Sequence, residues 1–183
     1  MRNALGRMYA ERYFPAGQKA RVERISDNVR AALMNRVDAA TWMSPATKAS
    51  ALSKLQTLYV GIGYPDQWED DSSLTVDPAD PLGNLRRVSD RAYRNAVAQL
   101  GQPVNLKYWS ISPTTVGGLL VFQQNAYFMS AALLDPPKYD PMSSDAAAYG
   151  SVGALIGHDL THYIDVLGAD YDIEQGRYRF TRI

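Results

Sequence analysis

Two histidines are all this sequence contains, and both stand in Gly157-His158-Asp159-Leu160-Thr161-His162. A spacing of four inside an apolar run predicts a helix on which the two imidazoles sit side by side, one turn apart. Two neutral imidazoles so placed form one edge of a zinc site, and in the H-E-x-x-H arrangement the acid between them takes a proton from the water that the metal activates. Here that acid is Asp159. Residue types and spacing therefore point to metal-assisted hydrolysis, with His158 and His162 as ligands and Asp159 as the base. Asp is one methylene shorter than Glu, which draws the carboxylate back by about 1.5 Å. A catalytic group displaced by about 1 Å can lose on the order of a hundredfold in rate. The motif names a chemistry and predicts that it is impaired.

The elements that must position these side chains come from a chain of 183 residues, 46% of them hydrophobic, enough to bury a core within one domain or one compact part of a larger one. Nineteen basic residues balance nineteen acidic ones, so no overall field draws the chain to nucleic acid or to an anionic membrane. Cysteine is absent, which excludes disulfides, a thiol nucleophile and thiolate metal ligands. The opening MRNALGRMYAERYF has no apolar core of a signal peptide, and no run of eighteen apolar residues provides a membrane span, so the sequence as written leaves the compartment open.

Residues 1–40 carry Val22, Ile25, Val29, Leu33 and Val37 at spacings of three and four among charged residues, a one-sided helical stripe. Ser44-Pro45 predicts an N-cap with Pro at the first helical position, opening a helix through Leu52, Leu55 and Tyr59 that Gly61 and Gly63 end. Residues 61–83 read as a long connection in which Trp68-Glu69-Asp70-Asp71 is a solvated loop; the acids lack the alternating spacing that wraps oxygens around calcium. Pro81 predicts a third helix with Leu85, Val88, Ala92, Ala96 and Leu100 as its buried face, stopped by Gly101-Gln102-Pro103. From Val104 the pattern changes to short β-forming runs, Thr115-Val116, Leu119 to Phe122 and Tyr127 to Met129, which predict a β-hairpin over 104–137 closed by Asp135-Pro136-Pro137. A helix over 151–167 follows, with Gly168 as its C′ residue. The expected fold is mainly α, of the α+β kind: a helical part at 1–103 and a small hairpin or sheet beside the metal-motif helix, all in a single partial domain over 1–183.

These pieces, taken in order, resemble the catalytic-domain segment of the neprilysin-like zinc endopeptidases, peptidase family M13. The matching residues are Leu5-Gly6, Tyr9, Tyr13-Phe14, Trp42-Met43, Thr47-Lys48, Ala51, Lys54-Leu55, Ile62-Gly63-Tyr64-Pro65, Leu100-Gly101, Pro103-Val104, Trp109, Pro113, Thr115-Val116, Leu134, Pro136-Pro137, Asp140, Tyr149-Gly150, Ile156-Gly157-His158, Thr161-His162, Asp165 and Gly168. The resemblance implies a mostly helical metallopeptidase domain that cleaves short peptides, and members of the family are often extracytoplasmic. It also implies a zinc held by His158, His162 and a glutamate from a later helix, with Asp159 where the family has its catalytic Glu.

Departures from the family pattern bear on activity. The third ligand belongs to an E-x-x-x-D motif well beyond the second histidine, whereas Glu174 is the only glutamate after His162 and Tyr178 stands four positions on. Asp165 shares the histidines' helix face but lies about 10.5 Å along the axis from His158, seven residues at 1.5 Å each, so it is placed behind the metal, on its ligand, or on the helix surface. A gapless match from Pro113 to Asp140 sets Gly117-Gly118-Leu119 where the family holds its substrate with Asn-Ala-Tyr. Using Asn125-Ala126-Tyr127 instead needs an insertion and a compensating deletion. Tyr163 replaces the usual Gly after the second histidine and is expected to crowd the metal face.

Two readings follow: a truncated zinc metalloendopeptidase segment with an impaired base, and a degenerate, non-catalytic relative that binds a peptide or protein. In either, a segment lacking later helices is expected to expose Ile156, Leu160 and Ile164 and to self-associate through them.

Overall fold

The computed structural model describes residues 2–103 and 105–171. Expectations resting on Val104, Asp172, Glu174 and Tyr178 lie outside those residues.

The helical stretch expected over residues 1–40 is broken at Pro15 into helix α1 (Arg2–Tyr13) and helix α2 (Ala16–Ala39), the second carrying the whole apolar stripe; the missing N–H and fixed φ of Pro15 suit a helix start and not a helix interior. Val22, Ile25 and Val37 of α2 are buried, as the periodicity predicts, with Val29 and Leu33 packed at the margin of the core. Helix α3 (Pro45–Thr57) begins as read, with the Thr47 N–H donating to Ser44 Oγ at 3.2 Å. Such a cap is worth about 1 kcal/mol.

The sheet has three strands in the order β1-β3-β2, and β1 is the element the sequence concealed. Strand β1 (Tyr59–Gly63) runs parallel to β3 (Ala126–Ser130), and β2 (Gly118–Val121) runs antiparallel to β3 with Leu119 opposite Phe128. The helix expected to run through Tyr59 stops at Thr57. Gly61 and Gly63, expected to stop the helix, lie in β1 instead, at positions where a side chain would collide with aromatic rings. Gly63 has φ +74°, and a Cβ on it would lie 2.5 Å from the Phe14 ring. We expect Gly63→Ala to destabilise the protein by about 1–3 kcal/mol, seen as a lower urea midpoint at unchanged slope.

β3 is buried along its whole length, as a central strand covered on both faces requires. Phe122–Gln124 form a 3-10 turn and Asn125, at φ +46°, makes the left-handed step that joins β2 to β3. Gln-Gln is thus part of a longer connection and not a two-residue hairpin turn.

Helix α4 (Pro81–Ala98) starts at Pro81, capped by Asp80, and Gly101 beyond it has φ +76°. Its expected buried face is not buried: Leu85 and Leu100 are 63% and 76% exposed, Ala92 and Ala96 are exposed, and Val88 is half-buried. Polar ties hold α4 instead. Asn84 bonds both the amide and the carbonyl of Asp77, Arg87 reaches the Thr75 carbonyl, and Arg91 pairs with Asp71. The acidic run is therefore not simply solvated, because Asp71 anchors the connection to α4.

The metal-motif helix starts earlier and ends sooner than 151–167. Helix α5 (Asp145–Ala148) is capped by Ser144, a π turn covers Tyr149–Gly153, and helix α6 (Ala154–Thr161) follows. The Ser144 cap satisfies the Ala147 amide and begins the helix ahead of the apolar run. At the other end Thr161 Oγ1 donates to the His158 carbonyl at 2.6 Å, offering the backbone an alternative to further α-helix. Gly168 is not a left-handed C′ residue. It opens a 3-10 turn, where a Cβ would strike the Tyr163 carbonyl carbon at 2.2 Å.

Ile156 and Leu160, expected at an exposed face, are wholly buried in the core with Val22, Ile25, Tyr127 and Met129, and Ile164 packs against the Val37–Leu55 cluster. Large apolar side chains are exposed elsewhere, among them Leu5 and Met8 on α1, Leu82 and Leu85 on α4, and Trp42, Val116, Met142 and Val166 in the connections. No described helix is long and apolar enough to cross a membrane.

Candidate metal centre

Helix α6 packs on α2 and on the sheet through Ile156 and Leu160, which turns the two histidines outward at its C-terminal end. His158 Nε2 and His162 Nε2 lie 3.1 Å apart, with their rings edge to face. Two nitrogens bound to one tetrahedral zinc at 2.0–2.1 Å stand about 3.3 Å apart, so the pair is already close to the separation a shared ion needs.

Asp165 fixes which nitrogen of His162 faces His158. His162 Nδ1 is 2.7 Å from Asp165 Oδ2. Burial pushes the Asp165 carboxyl up, but hydrogen bonds from His162 and from the Leu167 and Gly168 amides outweigh it and hold it below the ordinary carboxylate value. An ionised carboxylate only accepts, so His162 donates from Nδ1, and Nε2 is the nitrogen left facing His158. We expect Asp165→Asn to weaken zinc binding about ten- to a hundredfold, measured by competition with a chromophoric chelator.

Asp159 faces the sheet. Its Oδ2 accepts from the Tyr127 hydroxyl at 2.5 Å, and Tyr127 is fully buried in β3. Burial first, and then the Asp159 charge, push the Tyr127 phenol well above its ordinary value. One carboxylate oxygen of Asp159 and one ring nitrogen each of His158 and His162 lie within 4.8 Å of one another. This donor set fits zinc in type and spacing, with two imidazoles that can ligate and an acid beside them. Among the described residues it is the only group of three or more such side chains close enough to share an ion.

Tyr163, expected to crowd the metal face, turns into the core. Its hydroxyl donates to the Ala126 carbonyl at 2.5 Å and its ring packs 5.1 Å from Phe122. Lys54 Nζ donates to the Gly168 carbonyl at 2.7 Å and so ties α3 to the turn beyond His162.

The structure separates the two candidate peptide strands. Gly117-Gly118-Leu119 leads into β2 at the sheet edge, with Gly118 exposed and Leu119 half-buried. Asn125 is engaged in the turn, where its Nδ2 donates to the Lys54 carbonyl and to Thr57 Oγ1, while Ala126 and Tyr127 lie in the central strand. Sequence reasoning missed Tyr127 as the partner of Asp159. The residues are 32 apart, and no local pattern marks the pair.

Residues 1–65 and 121–179 match the two models described as peptidase family M13. The chain is 30% identical over 175 residues to endothelin-converting enzyme-like 1 of Rattus norvegicus, covering 92% of this chain and 23% of that protein. It is 32% identical over 171 residues to the neutral endopeptidase of Lactobacillus helveticus, covering 92% and 26%. Among solved structures, the open state of Mycobacterium tuberculosis zinc metalloprotease Zmp1 superposes with a TM-score of 0.86 at 37% identity, over 94% of this chain and 27% of that one. The chain thus spans about a quarter of the length of these relatives.

Proposed function

Because this chain belongs to peptidase family M13, we propose that it carries part of a zinc-dependent endopeptidase site and is, as the polypeptide 1–183, strongly impaired in hydrolysis. His158 and His162 would hold the metal, Asp165 orients His162, and Asp159 stands as the base. Gly117-Gly118-Leu119 lines an extended peptide. When bound, zinc would acidify a water molecule and polarise the scissile carbonyl. The observation that carries the reading is the pair of Nε2 atoms 3.1 Å apart, with an acid on the same turn.

Impairment follows from two features. Structural and catalytic zinc sites use at least three protein ligands, and the described residues offer two imidazoles plus an acid already bonded to Tyr127. Asp159 also reaches about 1.5 Å less far than a glutamate.

A second reading draws on β2. Among the described residues it pairs with β3 along one side only, so its other edge can add an extended peptide through main-chain hydrogen bonds whether or not hydrolysis follows.

The test is a quenched-fluorescent peptide incubated with the zinc-saturated polypeptide. We expect no phenanthroline-sensitive turnover above background. Turnover that phenanthroline stops and that Asp159→Asn abolishes would show a completed site and overturn the impairment.

A further inference from the structure

Tyr127 has a polar end in an apolar place. It sits in the middle of the central strand, fully buried, and its hydroxyl donates to Asp159 Oδ2 at 2.5 Å. With the phenol held well above its ordinary value by burial and by the Asp159 charge, it stays protonated and gives the carboxylate a permanent donor. The edge strand leaves room for this pair. A Cβ at Gly118 would stand 3.2 Å from both Tyr127 Cε2 and its hydroxyl, and 3.5 Å from Asp159 Oδ2. Any side chain there would press on the contact.

The pair stands beside two imidazole nitrogens within 4.8 Å of an Asp159 oxygen. A carboxylate that close to a two-ligand zinc, left unrestrained, gains by rotating onto the ion, because zinc favours a third protein donor. A carboxylate on the metal no longer accepts a proton from water. We infer that Tyr127 is a positioning residue that keeps Asp159 off the metal, so that the acid remains a base and not a ligand. This rests on the reading that His158 and His162 hold zinc. The bare Gly117-Gly118 step then serves as clearance for the Tyr127–Asp159 bond as well as a peptide edge.

The experiment titrates cobalt(II) into the full chain, followed by its visible absorption, for wild type, Tyr127→Phe, Asp159→Asn and the double variant. Zinc competition gives the affinities. Tyr127→Phe is expected to tighten metal binding about tenfold, the scale on which groups behind a ligand tune a site, and to alter the cobalt bands as the freed carboxylate joins the ion. In the Asp159→Asn background the same change should do neither. Unchanged or weaker binding with unaltered bands, or an equal effect in both backgrounds, overturns the inference. Should Tyr127→Phe fail to fold, Gly118→Ala crowds the pair from the edge strand and is expected to shift affinity in the same direction; no shift overturns the inference.

Thermal unfolding of the same four metal-free proteins separates this inference from the reading beneath it. Absence of any cobalt binding by wild type sinks the proposed function. The Tyr127–Asp159 link is then judged by unfolding alone: a double variant that loses less than the two single losses combined supports it, and strict additivity overturns it.

Discussion

Zinc uptake by the polypeptide is expected to collapse when either His158 or His162 is replaced by alanine. Complete structural zinc sites release about 10–16 kcal/mol on binding, and a site with half the usual ligands should give roughly half of that. Such an energy corresponds to a dissociation constant between about millimolar and micromolar. Losing one of two imidazoles should push it beyond about millimolar, outside useful measurement by calorimetry. The sequence holds no third histidine to replace either ring, and the nearby Asp159 carboxylate is engaged by the Tyr127 hydroxyl. Zinc binding that survives His158→Ala with unchanged affinity would place the ion elsewhere.

The second large effect concerns stability. Tyr163 follows His162 directly and is buried, with its ring against Phe122 and its hydroxyl on the Ala126 carbonyl of the central strand. Tyr163→Ala should destabilise the protein by about 3–5 kcal/mol, the range for deleting a buried aromatic ring. Tyr163→Phe keeps the ring and leaves the Ala126 carbonyl short of a donor, so it should cost about 1–2 kcal/mol. Urea unfolding measures both. A loss under about 1 kcal/mol for Tyr163→Ala would mean that the end of α6 is not held by the sheet as described.

The metal motif was legible because its chemistry is local: two histidines at a spacing of four need only one helix to meet. The Ser44 cap and the β2–β3 hairpin were legible for the same reason, since caps and short β-forming runs are written in adjacent residues. Strand β1 was not. Its two glycines read as helix stops, and what makes them strand residues is Phe14 lying against Gly63 and Trp109 and Phe128 against Gly61, contacts that exist only after folding. The apolar spacing of α4 gave the right helix and the wrong burial, because periodicity shows which face is apolar and not whether anything covers it. Tyr163 was misplaced for the opposite reason, as its neighbour in sequence is His162 of the metal motif while its neighbour in space is the central strand. The Tyr127–Asp159 bond joins a strand residue to a helix residue, and only the packing of α6 on the sheet brings them together.

The most direct test of the central claim, that this chain holds part of a zinc site, is the metal content of the purified polypeptide after exhaustive dialysis against metal-free buffer. The account predicts well under one equivalent of zinc, with reversible weak uptake on titration that depends on His158 and His162. One full equivalent retained through dialysis, with chelator-sensitive peptide cleavage, would contradict it.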